Sequence, residues 1–184
     1  MSWCEHIKHV YKGIKKFFGM FYKVRLKLPT VCLRSLYYAT VYPIIQYGVE
    51  LYGSTCKSYL FDLSVLNNKI FRALPFKKYN STVIDLYVNY NTLPIDKLHS
   101  YKLLIMIHRF FTYPDSIPPI FHDYFVTNDR VHSYNTRIKK DLHLSSHATS
   151  YGTRCLAFHC GKLWNDIPTN ISEIFQLLVH SLES

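Results

Sequence analysis

Ten histidines and five cysteines are the side chains of this 184-residue chain best suited to hold a metal or act as nucleophiles. The one cluster with ligand-like spacing is His143-x3-His147 followed by Cys155-x4-Cys160, with His159 beside it. Imidazole nitrogen and thiolate sulfur are the donors zinc prefers, and a structural site would contribute to folding outright. The order is not that of a standard finger, and the gap between the two cysteines is loose. Ordinary thiols and exposed histidines are therefore expected, with no metal and no other cofactor. The chain also lacks a Gly-x-Ser-x-Gly nucleophile turn, a Gly-x-x-x-x-Gly-Lys phosphate loop and a Gly-x-Gly-x-x-Gly run.

The stronger chemical signal is charge. The formal net charge is +10, and residues 1–34 hold eight Lys or Arg against one acid, Glu5. The remaining residues hold fourteen basic against eleven acidic groups. Lys8, Lys12, Lys15, Lys16, Lys23, Arg25 and Lys27 form the candidate set, with Arg130, Arg137 and Arg154 as a second, weaker one. Ammonium groups stacked at four-residue steps repel one another, and a polyanion relieves that repulsion. Phosphate backbones are the expected partner, a basic helix lying on an anionic membrane is the rival, and a merely solvated face is the bland alternative.

These charges need elements to position them. Trp3, Ile7, Val10, Ile14, Phe17, Phe18 and Phe21 alternate at four and three residues, which predicts an amphipathic helix over 2–22 with the lysines on its other side. Leu33, Leu36, Tyr37, Val41, Ile44 and Ile45 predict a second helix, 30–47, opened by Pro29, kinked in its last turn by Pro43 and ended by Gly48. Gly53 is expected to permit another tight reversal. A third helix is predicted over 58–74, with Leu60, Leu63, Leu66, Ile70, Phe71 and Leu74 inward and Pro75 as its stop. Thr82 and Asp85 suggest a capping box for a short helix to Tyr90. Thr92-Leu93-Pro94 opens a longer one to about Thr112, apolar nearly all round and so expected to be central and buried. Pro114, Pro118 and Pro119 mark a loop, residues 120–126 a docked segment, and an amphipathic helix over about 172–182 closes the chain.

The order of the pieces carries a resemblance. Leu28-Pro29, Leu33-x-x-Leu36-Tyr37-Tyr38, Pro43-x-x-x-Tyr47-Gly48 and Tyr52-Gly53-Ser54-Thr55 resemble the thumb of reverse transcriptases from non-LTR retrotransposons, the long interspersed elements (LINE) of the Jockey and chicken-repeat type. Trp3, His6-Ile7, Gly19, Tyr22-Lys23 and Arg25 look like the segment leading from the palm into that thumb. His132-Ser133-Tyr134-Asn135-Thr136-Arg137 and Gly161-Lys162-Leu163-Trp164-Asn165, followed by Ile167-Pro168, resemble the blocks after it. The resemblance implies a mainly α chain: a thumb-like three-helix bundle at 1–75, a second helical unit at 76–128 and an irregular post-thumb region at 129–184. It also implies backbone contact with template–primer or element RNA, since phosphate contacts position a duplex without reading it. RNA-directed DNA polymerases keep paired aspartates in the palm for two metal ions. Here no two aspartates are adjacent. The expectation is a non-catalytic fragment of such a transposable-element polymerase, whose further partner would be the missing fingers and palm. An inactive relic, or a membrane-surface or protein-interaction module, are the alternatives. Tyr134 with Asn135 and Arg137 could contact RNA or fix a turn, whereas Trp164 with Asn165 is expected to be structural.

No apolar run approaches the ~18 residues of a membrane span; the longest is Leu103 to Ile107. Lysines interrupt the N-terminal apolar residues, unlike a signal peptide. An odd number of irregularly spaced cysteines suits a reducing compartment. The chain is expected to be intracellular, nuclear or cytoplasmic, and not secreted.

Overall fold

The computed structural model describes residues 3–74, 82–113, 115, 118–121, 124–133, 138–139 and 141–168. It is mainly α-helical. Among the described residues the one extended pairing is an isolated antiparallel bridge between Thr127 and Leu142. The chain divides into two compact units, residues 1–99 and 100–184. The sequence suggested breaks near 75 and 128; the packing instead extends the first unit to 99, because Leu86, Tyr87, Tyr90, Ile95 and Leu98 join its core.

The first unit opens with α1 (Cys4–Val24), which buries Ile7, Val10, Ile14 and Phe21 and lies against α5 (Lys57–Ala73) and α3 (Tyr42–Gln46). Trp3, Phe17 and Phe18 flank that stripe, half-buried. Between them, α2 (Thr30–Thr40) and α3 are one helical path broken at Val41. Val41 still donates to the Tyr37 carbonyl at 3.0 Å, but Pro43 has no N–H to return to Ala39, so the break falls two residues ahead of the proline. Gly48, at φ +68°, ends α3 in the left-handed region where a Cβ is costly. A short α4 (Val49–Tyr52) follows that the spacing had not suggested, burying Val49 and Tyr52.

Gly53 has a different role from the one its type suggested. Its φ is −68°, an ordinary helical value, so no reversal depends on it. A Cβ there would meet the His99 ring and lie 2.5 Å from the Val49 carbonyl oxygen. Space is what it supplies.

α5 buries Leu63, Leu66, Ile70, Phe71 and Leu74 as its spacing predicts. It also buries Asn67, only 1 % exposed. Tyr37 Oη donates to Asn67 Oδ1 at 3.1 Å, and Asn67 Nδ2 donates to Tyr87 Oη at 3.0 Å, whose hydroxyl in turn reaches Asn68 Oδ1 at 2.8 Å. Buried polar groups persist where such partners are found. Phe71 sits beside this chain, with its ring 4.6 Å from Tyr37 and 4.7 Å from Tyr87. Burial raises the pKa of Tyr37 and Tyr52, and pushes Tyr87 up to about 12.

α6 (Val83–Asn89) begins without a side-chain cap: Thr82 makes no capping hydrogen bond, so the expected box is not formed. α7 (Ile95–Thr112) carries the division between the units. It buries one face (Ile95, Leu98, His99, Leu103, Ile107) and exposes Tyr101 and Phe111. The all-round burial expected of it is not present, because its apolar positions are shared between two small cores.

The second unit packs Leu103, Ile107, Phe125, Leu142 and Cys160 together, flanked by Met106, Phe110, Leu156, Leu163 and Trp164. α8 (Asn128–Val131) and α9 (Leu156–Asn165) are its remaining named α-helices. Pro75, Pro114 and the closing helix proposed over 172–182 lie outside the described residues.

Candidate nucleic-acid interface

The first basic set lies along α1 and the turn after it. Lys8, Lys12, Lys15, Lys16, Lys23 and Lys27 are exposed, outside the buried stripe. Lys8 forms an exposed pair with Glu5 at 2.8 Å, and that ammonium holds the Glu5 carboxyl below its usual range. Lys12, Lys15, Lys16, Lys23 and Lys27 make no ion pair among the described residues. Arg25 is half-buried, its guanidinium stacked 3.7 Å over the Tyr22 ring. That stacking fixes a planar cation at the end of the row.

The second set belongs to the other unit. Arg130 is exposed in the last turn of α8. Arg154 is turned onto its own loop, where Nε donates to the Ser150 carbonyl at 3.0 Å and Nη2 to the Ser150 hydroxyl at 3.1 Å. Arg137, with Tyr134 and Asn135, lies outside the described residues.

Between α1 and α5 runs a groove of about 370 Å³. Lys8, Lys12 and Lys15 edge it on one bank; Ser58 and Asp62 stand on α5 opposite. Ile7 and Leu63 form an apolar base, and Tyr11 and Tyr59 add aromatic surface. Of these only the lysines were legible as candidates. Tyr11 reads as one more apolar residue of an amphipathic helix, and Tyr59 and Asp62 gain meaning only once α5 is set beside α1.

No family model, curated protein or solved structure matches this chain. The chemistry of the surface must then be read from its own residues.

The zinc-like spacing does not converge. His143 Nδ1 lies 3.2 Å from Asn128 Oδ1, whereas His147 Nε2 lies 3.9 Å from Cys155 Sγ. Cys160 faces the second core, where burial pushes its thiol up to about 12. Burial, and after it the charge of Lys162, lowers the pKa of His159. Among the described residues no three His, Cys, Asp or Glu side chains gather as a metal would require.

Two polar residues of the second unit act as backbone clamps. Asn165 accepts from the Leu142 N–H and donates to the Leu142 carbonyl, both at 2.9 Å, pairing with it as a strand would. Asn128 donates to the Ile138 carbonyl at 2.9 Å. Trp164 stands 5.4 Å from the Phe111 ring. Gly161 admits Leu144, which would lie 2.7 Å from a Cβ. Gly161, Trp164 and Asn165 thus have packing roles. No helix among the described residues is long and apolar enough to cross a membrane.

Proposed function

We propose that this chain is a non-catalytic helical module of the non-LTR retrotransposon reverse transcriptase type, which holds template–primer or element RNA by its phosphate backbone. The observation that carries the reading is the division of α1 into a buried apolar stripe and a lysine row that its own carboxylates do not neutralise. A row pinned to a folded core offers phosphates a pre-arranged set of cations, and each phosphate neutralised releases condensed counterions. The family part of the reading rests on the sequence blocks alone, and the absence of adjacent aspartates supports a role outside catalysis.

The test is a salt titration of binding to an RNA–DNA hybrid. For a duplex the log–log slope changes by roughly 0.9 per phosphate contact. A Lys12/Lys15/Lys16→Glu variant, checked for native helix content, should therefore bind more weakly to every sequence and lower the slope by about 2 to 3. A folded wild-type protein that binds no hybrid at low salt refutes the proposal.

One observation favours a second reading. Leu26, between Lys23 and Lys27 in the sequence after α1, and Val31, in the first turn of α2, are each 75 % exposed, an apolar tip with basic residues next to it in the chain. Such a tip suits an anionic membrane surface. Vesicles of anionic lipid that displace the hybrid at equal charge would favour it.

A further inference from the structure

We infer that the groove between α1 and α5 takes an unpaired nucleotide, so that the nucleic acid this surface prefers is a duplex with a single-stranded extension. The inference rests on the reading of α1 as a nucleic-acid face. A duplex keeps the faces of its bases stacked inside, and backbone contact with its phosphates needs exposed lysines alone. The groove offers more than lysines. Its base is apolar (Ile7 and Leu63, both buried) and its aromatic surface comes from Tyr11 and from Tyr59, which is 43 % exposed. Aromatic rings beside a cationic edge are what an unstacked base and its phosphate need together. The volume, about 370 Å³, lies in the range of small-ligand sites.

The two banks differ, and the difference orients the occupant. Lys12 and Lys15 attract the phosphate on the α1 side, with Lys8 shared with Glu5. Asp62 on the α5 side would repel a second anion but accepts hydrogen bonds. A ligand that is anionic at one end and an N–H donor at the other satisfies both banks. Cytosine meets this with its exocyclic amine; uracil presents a carbonyl in the same place, which Asp62 repels, and has its ring N3–H alone to donate.

The experiment compares a blunt RNA–DNA hybrid with the same hybrid carrying a short overhang of cytidines or uridines. The expected result is about tenfold tighter binding of the cytidine overhang than of the blunt hybrid, the scale of one stacked base. Tyr59→Leu should abolish that gain and leave blunt affinity and salt slope unchanged. Asp62→Asn should erase the preference for cytidine over uridine. Equal affinity for blunt and extended hybrids, or a gain that survives Tyr59→Leu, overturns the inference while salt-dependent blunt binding keeps the proposed function standing. Absence of binding to all three probes overturns both.

Discussion

Asn67 offers the sharpest test of how the first unit is held. Its carboxamide joins Tyr37 on α2 to Tyr87 on α6, and it sits on the helix that forms one bank of the groove. In Asn67→Leu the Tyr37 hydroxyl loses its described acceptor in a site 1 % exposed, whereas the Tyr87 hydroxyl keeps Asn68. One orphaned buried hydroxyl costs about 1–3 kcal/mol, and the lost amide–hydroxyl bond to Tyr87 adds about 1. The variant should therefore be destabilised by about 2–4 kcal/mol. Tyr37→Phe removes the donor and leaves Asn67 Oδ1 bare, for about 1–2 kcal/mol. Combining the two changes removes both partners at once, so the double variant should be more stable than Asn67→Leu alone. The assay is urea denaturation followed by Trp3 fluorescence in a Trp164→Phe background, so that only the first unit reports. Additive losses, or an Asn67→Leu protein as stable as its parent, would refute the coupling.

Gly53→Ala should cost about 1–3 kcal/mol through collision with His99, more than Gly48→Ala at about 1, and the same denaturation measures both. Equal losses would mean that conformation, not space, sets the role of Gly53. Asn165→Ala frees both backbone groups of Leu142, so hydrogen exchange at the Leu142 amide should accelerate by at least about tenfold, given ~1.4 kcal/mol of lost protection. Cys160 and Tyr87 are raised to about 12 from 9.0 and 10.0, so both states hold their protons below about pH 9 and the stability is fully present there. Above it the unfolded chain ionises first, and circular dichroism should show Tm falling from pH 9 to 12; a flat Tm to pH 11 would contradict the burial of these groups. Lys12→Gln relieves repulsion with Lys8 and Lys16, so it should stabilise the protein by about 0.4–1 kcal/mol at low salt, less at high salt, while weakening hybrid binding. A destabilised Lys12→Gln protein would show that Lys12 has a structural partner.

What could be read in the sequence was local. The α1 stripe and its lysines were legible because three-and-four spacing fixes which residues share a face. The same holds for the inward positions of α5. Asn67 was not legible, since it lies in a polar Asn-Asn pair and its burial depends on tyrosines 30 and 20 residues away. Gly53 misled because residue type suggests conformational freedom, while its use depends on where His99 comes to rest. The four zinc-type side chains show the same limit: linear spacing does not say which groups the fold brings together, and here His147 lies near Cys155 while Cys160 turns inward. The groove shares this limit, as its second bank comes from a helix more than forty residues on.

The lysine row and the core stripe of α1 stand in unequal balance, and that inequality explains how the helix carries the row. Burying Ile7, Val10, Ile14 and Phe21 contributes about 1.5–3 kcal/mol each, roughly 6–12 together. Repulsion between Lys8 and Lys12 and between Lys12 and Lys16 costs only a few tenths each. The helix can therefore carry unneutralised charge without losing its place against α5. The repulsion within the row is thus small beside the burial that holds the helix in place. Under the proposed function that free energy would be recovered when a polyanion arrives, so substitutions in the row should be read in binding rather than in stability.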